Sequence, residues 1–327
     1  MFFASFFQMA RRRCYWSPKR LIRILWSMLS NISLHWDIFR TLANPSFKGL
    51  LRLDPVFPFK HLSTCYLVRG LSASERAFCF LYHYKKMQDF LPSKLLRTLM
   101  QTGFSLFETK DCGTTYSVTV GFPPREAIWE GELALRLLVD GEHVYVLQFS
   151  IVPGRIVHSE ETSVLLVLRL QGVKGSFDQV RTATKALNEV APPALLMATL
   201  QGLAKAWNIR QFAGVCATSQ YSYSYSNASP DTFKGVYDNF FIQLGANRVS
   251  ADFFSSPIPV EEKPVENVKN GHKARTRKKR AFKLKIADEA YRRMVKGRAD
   301  FVETPDAETD GFLPDPPEHS FQKHEVA

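Results

Sequence analysis

The residues best suited to ligand chemistry form one glycine-rich turn, Gln171-Gly172-Val173-Lys174-Gly175-Ser176. A strand pattern runs into this turn and a helix pattern starts after it. Such a turn can point free backbone N–H groups and the positive end of a helix dipole at a phosphate, and Lys174 would add a positive charge. The alternative is a plain strand-to-helix connection with Ser176 as the N-cap. The spacing matches neither a P-loop nor a dinucleotide-binding fingerprint. The predicted cofactor-binding residues are Gln171, Gly172, Lys174, Gly175 and Ser176.

Two residues have side chains suited to proton transfer. His83 lies between two tyrosines in a helical segment, where its imidazole could carry protons, or it could be a packed or surface histidine. Glu132 stands at the start of a strand, and its carboxylate could act as a base in a cleft or be a solvated charge. The eight histidines lack metal-site spacing, so we predict no metal.

The net charge of +12 is concentrated near the ends of the chain. Residues 273–298 contain twelve basic and two acidic residues, and residues 1–23 contain six basic and no acidic ones. Counterion release could bind a cluster of basic residues to nucleic acid or to an anionic membrane surface. This cluster is Lys273, Arg275, Arg277, Lys278, Lys279 and Arg280. The alternative is a solvated helix that has no such partner.

Cysteine usage and hydropathy argue against a secreted or membrane-spanning protein. The five cysteines lie far apart and form no CxxC pair, as expected in a reducing compartment. The apolar residues 1–7 precede a group of arginines instead of following one, which reverses the order of a secretory signal. From about Ser17 to Trp36 an amphipathic helix with a basic start is predicted, which could lie on an anionic membrane or pack on its own domain.

Further along the chain, the pattern predicts an alternation of helices and strands. Ser63 to Arg69 is typical of a strand, and Ser72 with Glu75 has the spacing of a capping box that starts a helix. Five strand segments follow between Phe104 and Leu170, with a hairpin turn at Asp140-Gly141. Two helices, a strand, a helix and a last strand come next.

The predicted fold class is therefore α/β (α+β), with a mixed, largely antiparallel central sheet flanked by helices. Composition divides the chain into five parts. They are a basic, amphipathic helical segment (1–44), an α/β domain (45–256), a linker (257–272), a basic helical appendage (273–300) and a disordered acidic tail (301–327).

Three segments resemble the bacterial VirK/YbjX family: Glu130-Gly131-Glu132-Leu133, Leu170-Gln171-Gly172, and YDNFF-x-x-LG beginning at Tyr237. The resemblance extends over about residues 45 to 295. It implies a domain of unknown function, linked in some Gram-negative bacteria to the cell envelope, surface virulence and antimicrobial-peptide resistance. It implies no established catalytic residues. We accordingly expect a cytoplasmic protein, with peripheral attachment to the inner membrane left open.

The order of elements also resembles that of acyl-CoA-dependent N-acyltransferases. This resemblance implies that the turn from Gln171 to Ser176 holds the coenzyme pyrophosphate, which makes acyl-CoA the candidate cofactor. In that superfamily a tyrosine protonates the leaving thiolate; Phe241 holds the matching position here, and Tyr237 is the nearest substitute. The turn also departs from the usual Q-x-x-G-x-G/A spacing, and an extra helix follows Pro192-Pro193. Two functions stay open: an acyltransferase-like protein that binds acyl-CoA, and a non-catalytic interaction protein.

Overall fold

The computed structural model describes residues 22, 26, 28–53, 57–123, 129–225, 230–262 and 264–302. The helices are α1 (Ile32–Leu42), α2 (Lys48–Leu53), α3 (Ala73–Phe90), α4 (Ser93–Gln101), α5 (Phe177–Ala186), α6 (Pro192–Ala206), α7 (Pro230–Gln243) and α8 (Lys273–Val302). The strands are β1 (Phe104–Asp111), β2 (Thr114–Gly121), β3 (Leu133–Val139), β4 (Glu142–Pro153), β5 (Ser163–Gly172), β6 (Gln211–Val215), β7 (Asn247–Arg248) and β8 (Phe253–Pro257).

Helix α3 starts where the capping box predicts. The Ser72 hydroxyl accepts a hydrogen bond from the Glu75 amide at 3.2 Å, and the Glu75 carboxylate accepts one from the Ser72 amide at 2.7 Å. The hydrogen bonds with Ser72 lower the pKa of Glu75. Two backbone donors at the helix start are thereby satisfied, which fixes where α3 begins.

The described strands form one sheet in the order β1-β2-β3-β4-β5-β6-β8-β7. Neighbouring strands are antiparallel except β5 and β6, which are parallel. Asp140 and Gly141 join β3 to β4 with φ values of 49° and 88°, as a tight primed turn requires. The predicted fold class, a mixed and largely antiparallel sheet flanked by helices, is confirmed.

The parallel pairing of β5 with β6 is short and involves three residues of each strand. Leu165 to Val167 of β5 lie opposite Phe212 to Gly214 of β6. Beyond Val167, β5 continues to Gly172 while still paired with β4. The crossover from β5 to β6 runs through α5 and α6.

Two predicted strands differ from the structure. Ser63 to Arg69 forms turns and bends, because its amides bond to two separate places: Leu67 to the Trp129 carbonyl at 2.9 Å and Arg69 to the Ser219 carbonyl at 3.0 Å. The apolar residues of this segment are therefore buried without forming the hydrogen-bond ladder of a β-strand. The predicted strand from Asn247 to Phe254 is divided into β7 and the start of β8, which pair with each other.

The predicted basic helix is present as α8, and its apolar face packs on α6 and β1. Ile286, Ala290 and Met294 are fully buried. At Gly202 of α6, an added Cβ would lie 2.1 Å from the Ala287 carbonyl oxygen, so a glycine is needed for this close approach. Residues 1–21 and 303–327, which include most of the acidic tail, lie outside the described residues.

Within the described ranges, every helix is too short or too polar to cross a bilayer.

Candidate functional site

The candidate site is the sheet edge at which β5 and β6 end, called here the β5–β6 edge and made of residues 168–177, 216–223 and Tyr237. Since the carboxyl ends of parallel strands meet at one edge of a sheet, the turn after β5 and the loop after β6 face the same side. In the described part of the chain, no strand pairs with residues 168–172 on the β6 side. Open α/β sheets bind ligands in the crevice outside such strand ends.

The predicted turn leaves most of its surface to solvent. The Ser176 amide donates to the Val173 carbonyl at 3.1 Å, and Gly175 has φ +86°. Gln171 and Lys174 are exposed. Ser176 is the N-cap residue of α5 and is buried, but its hydroxyl makes no capping hydrogen bond. The first amides of α5 are therefore not satisfied by the side chain that should cap them.

A partly buried ion pair lies at this edge. The Arg169 guanidinium contacts the Glu130 carboxylate at 2.7 Å, and Glu130 is almost fully buried. Arg169 Nε is also buried and has no hydrogen-bond partner in the part of the chain that the structure describes. This atom is a charged donor that a ligand or water could use.

Tyr237 of α7 lies close to this pair and to the end of β5. Burial, and then the negative charge of Glu130, raise the pKa of Tyr237, while Arg169 and a backbone hydrogen bond with Leu170 act in the opposite direction. Its hydroxyl therefore stays protonated at neutral pH. The Tyr237 ring stacks on the Phe233 ring with 4.8 Å between their centroids, and the centroids of Phe233 and Tyr223 are 5.4 Å apart. These ring contacts connect α7 to the loop after β6.

The loop after β6 is held by two carboxylates. Asp238 accepts a hydrogen bond from the Ala217 amide at 2.7 Å, and Asp252 accepts one from the Ser219 hydroxyl at 2.5 Å. Gln220 Oε1 and Ser222 Oγ are buried without hydrogen-bond partners among the described residues. The loop is thus fixed in place and still contains buried, unsatisfied polar atoms next to the strand ends.

Cys216, at the end of β6, is not a reactive thiol. Burial is the main cause that raises the pKa of Cys216 to about 11. The thiolate, which is the nucleophilic form, is therefore scarce at neutral pH.

Glu132 lies in the interior, in a cluster with Lys60, Tyr66 and Tyr84. Lys60 Nζ is 2.7 Å from Glu132 Oε2, and the two side chains are 3% and 0% exposed. Tyr66 donates a hydrogen bond of 2.5 Å to Oε1, and Tyr84 donates one to Oε2. Burial and the charge of Glu132 raise the pKa of both tyrosines. Every carboxylate oxygen of Glu132 is occupied by a protein donor.

His83 lies near the same cluster. Its Nδ1 accepts a hydrogen bond from the Ile151 amide at 3.1 Å, so the proton of the neutral ring is on Nε2. Nε2 is buried and has no partner among the described residues. Burial, and then the charge of Lys60, lower the pKa of His83. The structure therefore places Glu132 and His83 in the interior, and Tyr237 and the turn at the β5–β6 edge; their catalytic and binding roles stay predictions.

The basic cluster at the start of α8 is partly neutralised by the body of the protein. Arg275 and Lys279 form ion pairs with Glu189, and Arg280 forms one with Glu262. For the other three basic residues, the described part of the chain provides no ion pair: Lys273, Arg277 and Lys278.

One open cleft lies between α1 and α3 and has a volume of about 290 Å³. It is lined by Asp37, Arg40, Thr41, Asn44, Lys85 and Gln88. It contains none of the predicted site residues. Over the described ranges, no three His, Cys, Asp or Glu side chains are grouped as metal ligands would be.

Sequence reasoning missed Lys60 and Arg169. Lys60 is the only charged residue in the apolar segment from Val56 to Leu62 apart from a histidine, and an isolated lysine in such a segment is a signal for a buried ion pair. Arg169 is the only polar residue in the segment from Val164 to Leu170, which is the same signal. In both cases the acidic partner is distant in sequence and could not be named.

Comparison with known proteins gives one match. The sequence model of a family described as "Protein of unknown function (DUF535)" matches residues 15–290. Neither the curated proteins nor the solved structures include a match to this chain.

Proposed function

Because the chain belongs to the DUF535 family, which is the VirK/YbjX family and whose description gives no function, we propose its function from the geometry of the β5–β6 edge. The proposal is that this edge binds acyl-CoA or a similar phosphorylated ligand. The observation that carries it is the run of β5 past its last pair with β6, from Leu168 to Gly172. This run leads into an exposed turn and a helix start that lacks its side-chain cap.

The phosphates would bind at the turn. The uncapped amides at the start of α5 and the positive end of its dipole favour an anion, and Lys174 is exposed beside them. Both contributions favour negative charge in general and do not depend on which phosphorylated ligand carries it. A pyrophosphate, which carries several charges, gains more from them than a single carboxylate does.

The rest of the ligand would lie along β5. Residues 168–172 offer backbone N–H and C=O groups that no strand takes on the β6 side, apart from the hydrogen bond between Leu170 and Tyr237. An extended amide chain such as pantetheine can pair with such groups as an added strand does. Three atoms that have no hydrogen-bond partner among the described residues would bond to its polar groups: Arg169 Nε, Gln220 Oε1 and Ser222 Oγ.

If the ligand is a substrate, Tyr237 is the residue we propose as the general acid. Its hydroxyl is protonated at neutral pH and lies beside Leu170 of β5, within the segment along which the pantetheine arm would lie. It would donate its proton to the leaving thiolate. Glu132 and His83 are fully buried, and in this proposal they hold the interior cluster that positions β3 and β4.

Ligand binding is tested by thermal unfolding with CoA, acetyl-CoA and a long-chain acyl-CoA. A ligand at about 100 times its Kd stabilises the folded state by about 2.7 kcal/mol, which raises Tm by several degrees. Lys174→Ala should reduce this rise because it removes the charge beside the turn. Lys185→Ala is the matched control, since Lys185 is exposed on the last turn of the same helix and should leave the rise unchanged.

Equal shifts for both variants, or no shift with any of the three ligands at saturating concentration, would refute the proposal. Pantetheine, which lacks the phosphates of CoA, separates binding along β5 from binding at the turn. We expect it to bind much more weakly than CoA, since the turn recognises the phosphates.

The proposal extends to the biology that the family resemblance implies: a cytoplasmic factor that affects the cell envelope or surface virulence. A deletion strain complemented with the wild-type chain should regain resistance to antimicrobial peptides, and one complemented with Lys174→Ala should not. Complementation by Lys174→Ala at equal protein level would separate the phenotype from the ligand.

A second candidate function is a non-catalytic interaction protein that binds a polyanion, either nucleic acid or an anionic membrane surface. It is favoured by Lys273, Arg277 and Lys278, which have no acidic partner among the described residues. Counterion release requires that binding weaken steeply as salt rises. Binding of DNA, measured by anisotropy between about 50 and 200 mM salt, should fall in this way and be lost in Arg277→Ala/Lys278→Ala; salt-independent binding would contradict this candidate.

A further inference from the structure

Helix α8 presents basic side chains to solvent along most of its length. Five exposed basic residues lie on its outward side: Arg277, Lys278, Lys285, Arg292 and Lys296. Lys278, Lys285 and Arg292 are seven residues apart, and Lys296 follows four residues later. Because α8 is one continuous helix over this range, these spacings of two turns and one turn keep the residues on the same side. We call the five residues the basic row.

The opposite side of α8 is packed on the body, which fixes the position of the basic row. Ile286, Ala290 and Met294 are fully buried there. Near the end of the helix, the Arg298 guanidinium donates a hydrogen bond to the Ala206 carbonyl at 3.1 Å. An α-helix rises about 1.5 Å per residue, so the row spans about 29 Å. The row is therefore a line of charge held in place by the fold.

Most of the positive charge in the basic row is not neutralised by the protein. Arg292 pairs with Asp288 at 2.9 Å. The other four residues of the row form no ion pair in the part of the chain that the structure describes. A partner that neutralises them must carry negative charges spaced along a line. Double-stranded nucleic acid does so, with one charge for about every 1.7 Å of its axis.

The apolar content of the outward side argues against a bilayer as this partner. Between Arg277 and Lys296, the large apolar residues exposed on α8 are Leu284 and Val295, at 69% and 41%. They are eleven residues apart, which is about three helical turns. Helices that lie in the membrane interface bury a continuous apolar face beside their cations. Two separated side chains do not form such a face.

The aromatic residues of α8 argue against a single strand, because single strands bind largely by stacking their bases on exposed rings. Phe282 is half-buried and contacts the Phe107 ring, with 6.1 Å between the centroids. Tyr291 is half-buried beneath Lys205, whose Nζ is 4.5 Å from the ring centroid. The basic row itself contains charged side chains and no ring on which bases could stack.

We propose that the basic row is a docking surface for the phosphate backbone of double-stranded nucleic acid. The proposal rests on the second candidate function, because it names the partner and extends the site from the start of α8 over the whole row. The contacts are to phosphates, which carry no sequence information. Binding should therefore depend on salt and not on base sequence.

Fluorescence anisotropy of a labelled duplex, measured with the full chain, tests the proposal. A duplex of about 20 base pairs is long enough to cover the row. With the charges of the row on phosphates, the slope of log K against log salt should be about −4. Lys285→Ala/Lys296→Ala should reduce the size of this slope by about 2 and weaken binding at about 50 mM salt by roughly tenfold or more.

The matched control is Lys85→Ala/Lys234→Ala, which removes two exposed lysines from α3 and α7 and should bind as wild type does. Suppose that Arg277→Ala/Lys278→Ala weakens duplex binding and Lys285→Ala/Lys296→Ala does not. The site is then limited to the start of α8, and the second candidate function stands without the basic row.

The competing partners are covered by two further measurements. Tighter binding of wild type to a single strand of the same length would overturn the proposal. So would binding to phosphatidylglycerol vesicles that Lys285→Ala/Lys296→Ala abolishes. No duplex binding by wild type at about 50 mM salt would contradict both the basic row and nucleic acid as the polyanion of the second candidate function.

Discussion

Replacing Lys60 by methionine tests the interior cluster around Glu132. The substitution keeps most of the side-chain volume and removes the charge that lies 2.7 Å from the Glu132 carboxylate. Glu132 would then be a buried anion, held by the hydroxyls of Tyr66 and Tyr84 alone. The free energy of unfolding should fall, because an uncompensated charge costs more than the pair contributes.

The size of the effect follows from burial. Removing one partner of a buried pair typically costs about 3–5 kcal/mol, and we expect about 3 kcal/mol, the lower end, since two hydroxyls still solvate Glu132. Lys60→Met/Glu132→Gln should recover about half of this loss, because it removes the anion and keeps an oxygen for a tyrosine. Lys85→Met is the control: Lys85 is 53% exposed and 4.0 Å from Asp37, and its loss should cost under about 0.5 kcal/mol.

The assay is urea unfolding followed by circular dichroism at pH 7, with the midpoint and slope compared among the four proteins. A cost for Lys60→Met no larger than that for Lys85→Met would refute the buried pair. A double variant less stable than Lys60→Met would show that Glu132 contributes something other than its charge.

Further predictions concern pH and packing. Burial lowers the pKa of His61 and of His83 in the folded state, so both histidines stay neutral there while they become protonated in the unfolded chain. The free energy of unfolding should therefore fall as pH drops below about 6.5, by about 1.4 kcal/mol per pH unit for each histidine. Stability measured between pH 7 and 5 should show this loss, and His83→Gln should remove about half of it; an unchanged slope would contradict a neutral His83. Gly202→Ala should destabilise the fold by more than about 2 kcal/mol, since its Cβ would clash with the Ala287 carbonyl. Gly235→Ala, with nothing closer than 4.0 Å, should be neutral or stabilising in the same unfolding experiment, and equal effects would argue against the packing of α8 on α6.

The helix starts and turns that connect the strands could be predicted from the sequence because their signals are short-range. The capping box at Ser72 and Glu75 and the hairpin at Asp140-Gly141 depend on neighbours within a few residues. The same holds for the turn that ends β5 and starts α5 at Phe177. Each of these features could be located without knowledge of the rest of the fold.

The interior cluster could not be predicted in the same way. Tyr66 and Glu132 are 66 residues apart, and Tyr84 and Glu132 are 48 apart, so nothing local indicates that they meet. The segment from Ser63 to Arg69 was predicted wrongly as a strand for a related reason. Its apolar residues are buried by distant contacts, and burial alone does not specify a ladder.

Helix α1 shows a further limit of prediction from the sequence. Periodicity predicts that a helix has an apolar side, but not what covers that side. In the structure, His35, Ile38 and Leu42 face the body while Ile32 and Trp36 face solvent. The packing of α1 on the body decides which of its residues are covered and which stay exposed.

The most direct test of the central claim, that the β5–β6 edge binds acyl-CoA, is hydrogen–deuterium exchange with and without the ligand. Bound acyl-CoA should slow exchange in peptides that cover residues 168–177 and 216–223 and leave other peptides unchanged. Lys174→Ala should need more ligand for the same protection, and Lys185→Ala should not. Protection confined to other parts of the chain, or no protection at a saturating concentration of acyl-CoA, would contradict the claim.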